Sequence, residues 1–206
     1  SQLSSISIRA FASTAITSIT IPSAVATISD SAFQDCALLT SVVFSITSEA
    51  SVAGTAFTNT DALTCINKPS TVAYQGGTKS ACDCLIPPDV NGLVTIPAGT
   101  LAIPAEAFMG CAALKSVDLP SSLISISQFA FNQAGLLSVT IPAAVTAIDD
   151  NAFNYCPSLA IVNFASGSQL NSIGNNAFAI TAITTIAIPM AVVSIGTEAF
   201  GYINSL

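Results

Sequence analysis

A segment of about 23 residues recurs along the chain, and this repeat limits the possible folds more than any other feature of the sequence. The segment "ITSITIPSAVATISDSAFQDCAL" at residues 16–38 is matched by residues 114–135, 136–158 and 183–205. Aliphatic residues stand at unit positions 1, 4, 6 and 10, proline at 7, isoleucine at 13, Ala-Phe at 17 and 18, and often cysteine at 21. One such unit cannot bury its apolar positions alone, so adjacent units must cover them. The repeat therefore predicts a solenoid.

Phenylalanine marks the register of the repeat. Successive marker residues are separated by nearly constant intervals of one unit, except between Phe57 and Phe108. That gap has room for two units, one of which lacks its phenylalanine. We count eight units, starting near residues 16, 39, 63, 91, 114, 136, 159 and 183, after a partial first unit. The marker residues are Phe11, Phe33, Phe57, Phe108, Phe131, Phe153, Phe178 and Phe200.

Each unit position has a structural interpretation. Positions 3 to 6, such as "SVTI" at 138–141, alternate polar and apolar residues and predict a short strand with one buried face. Proline at position 7 lacks an N–H group and ends the ladder. Positions 10 and 13 return apolar side chains to the interior, and the Ala-Phe segment forms a short helical turn or irregular stretch on the opposite side. Stacked units then give a parallel sheet, with about 4.8 Å between strands, and a column of phenylalanines in the core.

The consensus "LTSVTIPxxVTxIxxxAFxxCxxL" resembles the BspA-like leucine-rich repeat, also called the Treponema pallidum type. The resemblance covers nearly the whole chain and is specific in seven of the eight units. It implies a leucine-rich-repeat solenoid of about eight 23-residue repeats, with a parallel β-sheet on the concave face and short helical or irregular convex segments. It also implies a secreted or cell-surface protein that acts in adhesion or protein binding.

The unit that starts at Leu63 departs from the pattern. It begins as "LTCINKP", but after Val72 it continues as "AYQGGTKSACDCLIPPDV" without a phenylalanine. We therefore predict a first repeat block at residues 1–72, an irregular cysteine-containing junction at 73–90 and a second repeat block at 91–206. A functional loop at 73–90 is the alternative, because long loops often carry binding residues.

Three of the six cysteines occupy unit position 21. These are Cys36, Cys111 and Cys156, and the same position holds Ala134 and Ile203 in other units. A position that accepts alanine or isoleucine is a packing position, so we predict three buried free thiols.

The other three cysteines lie in or next to the junction. We predict a disulfide between Cys65 and either Cys82 or Cys84, closing the irregular segment. A thiolate metal site is the alternative, but three cysteines without a histidine leave it incomplete. We expect neither a metal nor a cofactor.

The composition argues against an enzyme. The chain has no histidine, which removes the usual general base and the commonest metal ligand. Asp149 and Asp150 resemble an acid pair, but adjacent residues on a solvated turn before Ala-Phe do not form a facing dyad. No phosphate-binding loop or serine-nucleophile motif is present. The sequence therefore predicts a protein without catalytic activity.

Two classes of partner are also disfavoured. The four basic residues, Arg9, Lys68, Lys79 and Lys115, are scattered and form no patch for nucleic acid. The uncharged run at residues 177–196 is long enough for a membrane span, but it contains Pro189 and alternates like a half-buried strand. We therefore expect no nucleic-acid partner and no membrane span in this segment.

Unit positions 3 and 5 supply the predicted concave binding face. This face is nearly uncharged, is rich in small hydroxyls and carries none of the aromatic or arginine anchors common at adhesive surfaces. A merely solvated sheet face is the alternative. The candidate binding residues are Ser18, Thr20, Ser41, Asn67, Thr95, Ser116, Asp118, Ser138, Thr140, Asn163 and Thr185.

Three functional hypotheses follow. The first is a secreted or cell-surface module that binds a protein ligand, as the resemblance implies. The second is a structural subunit that binds copies of itself in a fibre or coat, since low charge offers little resistance to association and neither end carries a capping unit. The third is an ice- or polysaccharide-binding Ser/Thr face, which Val43, Asp118 and Ala187 interrupt.

Overall fold

The computed structural model describes residues 3–69, 71–75, 80–81 and 84–203. These described residues contain short strands joined by turns, and none of them lies in a helix. The strands are β1 (Ser5–Ile6), β2 (Ser18–Ile21), β3 (Thr27–Ile28), β4 (Ser41–Phe44), β5 (Ser51–Ala53), β6 (Cys65–Ile66), β7 (Ala73–Gln75), β8 (Ser80–Ala81), β9 (Leu93–Thr95), β10 (Ala102–Ile103), β11 (Ser116–Asp118), β12 (Ser125–Ile126), β13 (Ser138–Ile141), β14 (Ala147–Ile148), β15 (Ile161–Phe164), β16 (Ser172–Ile173) and β17 (Ser194–Ile195).

The strands predicted at unit positions 3 to 6 form a first parallel ladder. It pairs β2 with β4, β9 with β11 and β13 with β15, and it also pairs β6 with β8, a strand within the segment predicted to be irregular. Equivalent unit positions face each other, as Val139 and Val162 do, so adjacent units stack without a shift in register. This confirms the predicted parallel β-solenoid. The outward residues of this ladder, at unit positions 3 and 5, are called the outer row below.

A second parallel ladder runs along unit positions 12 and 13, where only buried side chains were expected. One of its sheets joins β1, β3, β5 and β7, and the other joins β10, β12, β14, β16 and β17. Most of these strands have two residues, too few for an alternating pattern to be visible in the sequence. Each regular unit thus contributes two strands to the fold, except the unit that starts at residue 183, which contributes only β17.

The Ala-Phe segments are turns with a recurrent backbone bond. The Phe131 amide donates to the Ala152 carbonyl at 2.8 Å, and the Phe153 amide donates to the Ala177 carbonyl at 2.8 Å. Residues with positive φ flank the pair at unit positions 16 and 20, such as Asn151 at 57° and Tyr155 at 58°. Left-handed residues interrupt helical geometry, so the predicted irregular form is present and the helical form is not.

The phenylalanine column is confirmed in each half of the chain. In the second half, Phe108, Phe131, Phe153, Phe178 and Phe200 stack with ring centroids 5.0 to 5.5 Å apart. In the first half Phe11, Phe33 and Phe57 stack at 5.1 Å. There Tyr74 meets the Phe57 ring edge-on at 6.1 Å, so a tyrosine from the irregular unit takes the place next to the column.

The chain divides into two compact units, Ser1–Leu85 and Ile86–Leu206. Two strands of the first unit come from the stretch that the sequence marks as irregular. β7 extends the second ladder from β5, and β8 pairs with β6. Residues 73–75 therefore extend the second ladder, and residues 80–81 extend the first.

Candidate functional site

The outer row is accessible over most of its length because the strands of the first ladder alternate. Along β13 the apolar Val139 and Ile141 are buried, whereas Ser138 and Thr140 reach the surface. The same alternation exposes the predicted binding residues of the other strands. Those that are exposed or partly exposed are Ser18, Thr20, Ser41, Thr95, Ser116, Asp118, Ser138, Thr140, Asn163 and Thr185.

Asn67 is the exception among the predicted binding residues. Its side chain is only 6% exposed, and its Nδ2 donates to the Cys84 carbonyl. Its backbone bridges to Val43, and its carbonyl accepts the Phe44 amide at 2.7 Å. Asn67 therefore holds the irregular unit together and does not belong to the exposed outer row.

A cavity of about 670 Å³ opens on the outer row between β11 and β13, which do not pair with each other. Ser116, Asp118, Ser138 and Thr140 line it together with Ser121. It offers one carboxylate among neutral hydroxyls that both donate and accept hydrogen bonds. Among the described residues, no three His, Cys, Asp or Glu side chains are placed to hold a metal ion. The arrangement suits reversible polar recognition.

The pair Asp149 and Asp150 serves the stack between units. The Asp150 carboxylate accepts bonds from the Asn175 amide at 2.7 Å and from Asn175 Nδ2 at 3.2 Å. Asn175 Oδ1 in turn accepts the Thr197 amide at 2.8 Å. Burial, with a smaller contribution from the Asp150 charge, raises the pKa of Asp149. The pair thus lies on a turn, as the sequence indicates, and Asp150 belongs to a side-chain ladder that the sequence does not predict.

Replacing Asp150 with alanine is expected to lower the free energy of unfolding by about 1–2 kcal/mol, because two bonds to the next unit are lost. Asp150→Asn keeps an oxygen that can accept the Asn175 amide and should cost less. Asp61→Ala removes an exposed carboxylate and should change stability by less than about 0.5 kcal/mol. Urea denaturation measures all three, and equal losses for Asp150→Ala and Asp61→Ala would contradict the ladder.

Two of the position-21 cysteines are buried free thiols, as predicted. Cys36 Sγ donates to the Phe11 carbonyl at 2.9 Å, and Cys156 Sγ donates to the Phe131 carbonyl at 3.0 Å. Burial raises the pKa of Cys156 to about 12. Because the thiolate is the reactive form, this thiol is inert in the folded chain.

The prediction for Cys111 was wrong. It is fully buried like the other two, but it is disulfide-bonded. The repeat position shows that a side chain of this size packs there, and it carries no information about a sulfur beside it. Cys65 and Cys84 are also disulfide-bonded, which confirms that cysteines in and next to the junction are oxidised. Cys82, the other predicted partner, lies outside the described residues.

The stacked parallel strands, the recurring sequence unit and the phenylalanine columns define a leucine-rich-repeat solenoid. The chain belongs to the family described as the BspA type leucine rich repeat region, whose model matches residues 1–81 and 92–206 in six copies. Leucine-rich repeat proteins of this kind are generally non-enzymatic binding proteins. No match is found among curated protein sequences.

Three solved structures are similar to the chain. A leucine-rich repeat protein from Bacteroides ovatus is 27% identical, with a TM-score of 0.56 and coverage of 96% of this chain and 50% of that one. A leucine rich cell surface protein from Faecalibacterium prausnitzii is 24% identical, with a TM-score of 0.45 and coverage of 96% and 62%. The leucine rich repeat protein of T. pallidum is 21% identical, with a TM-score of 0.38 and coverage of 85% and 69%. The chain thus spans 50% of the B. ovatus protein and 62% of the F. prausnitzii protein.

No helix among the described residues is long and apolar enough to cross a membrane.

Proposed function

We propose that the chain is a non-enzymatic, secreted or cell-surface protein that binds a protein ligand through the outer row, in an adhesive role. The observation that carries the proposal is the accessible row of hydroxyls and one carboxylate on the parallel strands of the second compact unit, with the cavity between β11 and β13 opening on it. Sites on strands hold their side chains in place without prior ordering, which lowers the entropic cost of binding.

The disulfide-bonded cysteines support an extracellular location. Cys65, Cys84 and Cys111 are all oxidised, and disulfides persist in oxidising compartments and are rare in the cytosol. Membership of a repeat family of binding proteins supports the protein-binding role.

Self-association is the second candidate, and exposed apolar side chains favour it. Met190 is fully exposed, and Val193 and Ile195 lie largely or partly in solvent within the same turn. In this case the ligand would be another copy of the chain, and purified wild-type protein would sediment faster as its concentration rises.

Asp118→Lys tests the proposed site by reversing the charge in the outer-row cavity. The immobilised chain is used to capture extracellular proteins, and the affinity for each purified candidate is then measured. We expect Asp118→Lys and Thr140→Arg each to weaken binding at least tenfold, about 1.4 kcal/mol, because a bulky cation occupies the cavity.

Glu106→Lys is the matched control, since it makes the same charge change on an exposed Ala-Phe turn away from the outer row. It should bind within twofold of wild type, and all three variants should keep the wild-type melting temperature. Unchanged binding by both outer-row variants would overturn the proposal, as would an equal loss in Glu106→Lys.

A further inference from the structure

The first ladder ends at β15, although another unit follows it. The next stretch that carries the position 3 to 6 pattern, residues 185–188, forms no strand and does not pair with β15. A cavity of about 550 Å³, lined by residues 160–164 and 184–187, separates the two stretches. A second cavity of about 500 Å³ shares Phe164 and Ala187 with the first and continues it along residues 187–191. Together they form an open slot, called the β15 slot below.

Both ends of the far wall of the β15 slot are fixed to the solenoid. Before the slot, the Ala182 amide donates to the Leu159 carbonyl at 3.0 Å. Beyond it, the Val193 amide donates to the Asn171 carbonyl at 2.8 Å, and β17 pairs with β16. The intervening stretch is therefore a wall held apart from β15 between two anchored points.

The two walls present unpaired backbone groups. On its other side β15 is fully paired with β13, and the flanking Ala165 amide donates to the Ile141 carbonyl at 2.9 Å. Along a parallel strand alternate amides and carbonyls point to opposite edges, so half of those in β15 point into the slot. Within the described part of the chain, the amides of residues 184–188 have no hydrogen-bond partner. Strand edges of this kind are templates for pairing with another chain.

The side chains around the β15 slot carry no charge: most are apolar, and the polar ones are hydroxyls and the Asn163 amide. Ile161 is 54% exposed at its mouth, next to Asn163 and Thr185. Both walls of the slot offer unpaired main-chain donors and acceptors, and neither wall carries a charged side chain. These groups match the main chain of an extended peptide better than any charged ligand.

We propose that the β15 slot binds an extended, uncharged peptide segment of a partner protein, which adds as a strand to the free edge of β15. The four residues of β15 match an occupant of roughly four to six residues, at about 3.3 Å per residue. Small and β-branched side chains on the occupant fit the slot. This inference rests on the proposed protein-binding role and specifies the chemistry of one partner segment.

The probe is the acetylated and amidated peptide of residues 138–143, "SVTIPA", because this strand already pairs with the other edge of β15. Its titration into isotope-labelled chain is followed by NMR. We expect saturable amide shifts confined to residues 161–164 and 184–188. In the free chain, the amides of 185–187 should exchange with solvent much faster than those of 139–141, which lie in a ladder strand.

Thr185→Pro removes one main-chain donor from the wall. Glu106→Lys is its control, because Glu106 is exposed and is not one of the residues that line the slot. Since the Thr185 amide has no partner in the described chain, Thr185→Pro should fold. Peptide affinity should fall at least tenfold in Thr185→Pro and stay within twofold in Glu106→Lys.

Two results would overturn the proposal that the β15 slot binds a peptide. One is protection of the free 185–187 amides equal to that of 139–141, which would mean that this unit closes onto β15 in solution. The other is absent peptide binding, or equal binding by Thr185→Pro and the wild type. If either of these results is obtained while a captured protein ligand still loses affinity in Asp118→Lys, only the slot proposal fails and the proposed function stands. If Asp118→Lys has no effect on a captured ligand, the outer-row function fails independently of the slot.

Discussion

Phe153→Ala is expected to lower the free energy of unfolding by about 3–5 kcal/mol. The Phe153 side chain is fully buried, and its ring stacks on Phe131 at 5.0 Å and on Phe178 at 5.1 Å. Alanine would remove this apolar area from the core and leave a cavity between two units. Because the cavity breaks the column in its middle, neighbouring rings cannot close it without moving the backbone ladders.

Phe200→Ala is the matched control for this prediction. Phe200 occupies the same unit position, but it is only partly buried, and the only described ring that it stacks on is Phe178, at 5.5 Å. Its replacement should cost less than half as much as that of Phe153. Denaturant titration followed by circular dichroism measures both, and equal losses would contradict the idea that stacking between units carries the core.

Cys111→Ala is expected to destabilise the oxidised chain by about 2–5 kcal/mol, the usual cost of losing a native disulfide. Cys156→Ala is a close control, because both cysteines are fully buried at unit position 21. Cys156 is free, and its replacement loses mainly the thiol bond to the Phe131 carbonyl, worth about 1 kcal/mol. Ala134 fills the same position in another unit, so alanine packs there.

Adding a reducing agent separates the contribution of the disulfide to the free energy of unfolding from the contribution of side-chain packing. With the disulfides reduced, wild type and Cys111→Ala should unfold at nearly the same denaturant concentration, while the effect of Cys156→Ala should be unchanged. Alkylation of the unfolded, unreduced chain should label Cys36 and Cys156 and leave Cys111 unlabelled. Labelling of Cys111 before reduction would contradict the disulfide.

The sequence predicts the first ladder and the phenylalanine column because both depend on spacing. The signals are a proline after an alternating "SVTI" and one phenylalanine in each regular unit. Because both recur from unit to unit, a chance match in one unit has little influence on the prediction. The second ladder could not be predicted in this way, since its two-residue strands are defined by their neighbours. The Ala-Phe pair also has a backbone role that composition does not reveal: in most units the Phe amide donates to the Ala carbonyl of the next unit.

The candidate site was predictable only where the repeat is regular. Alternation along β13 correctly places Ser138 and Thr140 at the surface, but the same rule fails for Asn67, where the irregular unit folds over the row and buries the side chain. The prediction of a free thiol at Cys111 fails for a related reason, because equivalent unit positions share a packing environment but do not share a disulfide partner. The β15 slot has no sequence signal, because residues 185–188 carry the same pattern as the strands that do pair.

Hydrogen exchange of the chain with and without its captured protein ligand tests the central proposal most directly. We predict that the ligand slows exchange in peptides containing residues 116–118, 138–141 and 161–164, the strands that carry the outer row. Residues 125–126 and 147–148 of the second ladder should exchange at the same rate in both samples. Protection confined to the second ladder, or to the Ala-Phe turns, would show that the ligand binds elsewhere and would contradict the proposed role of the outer row.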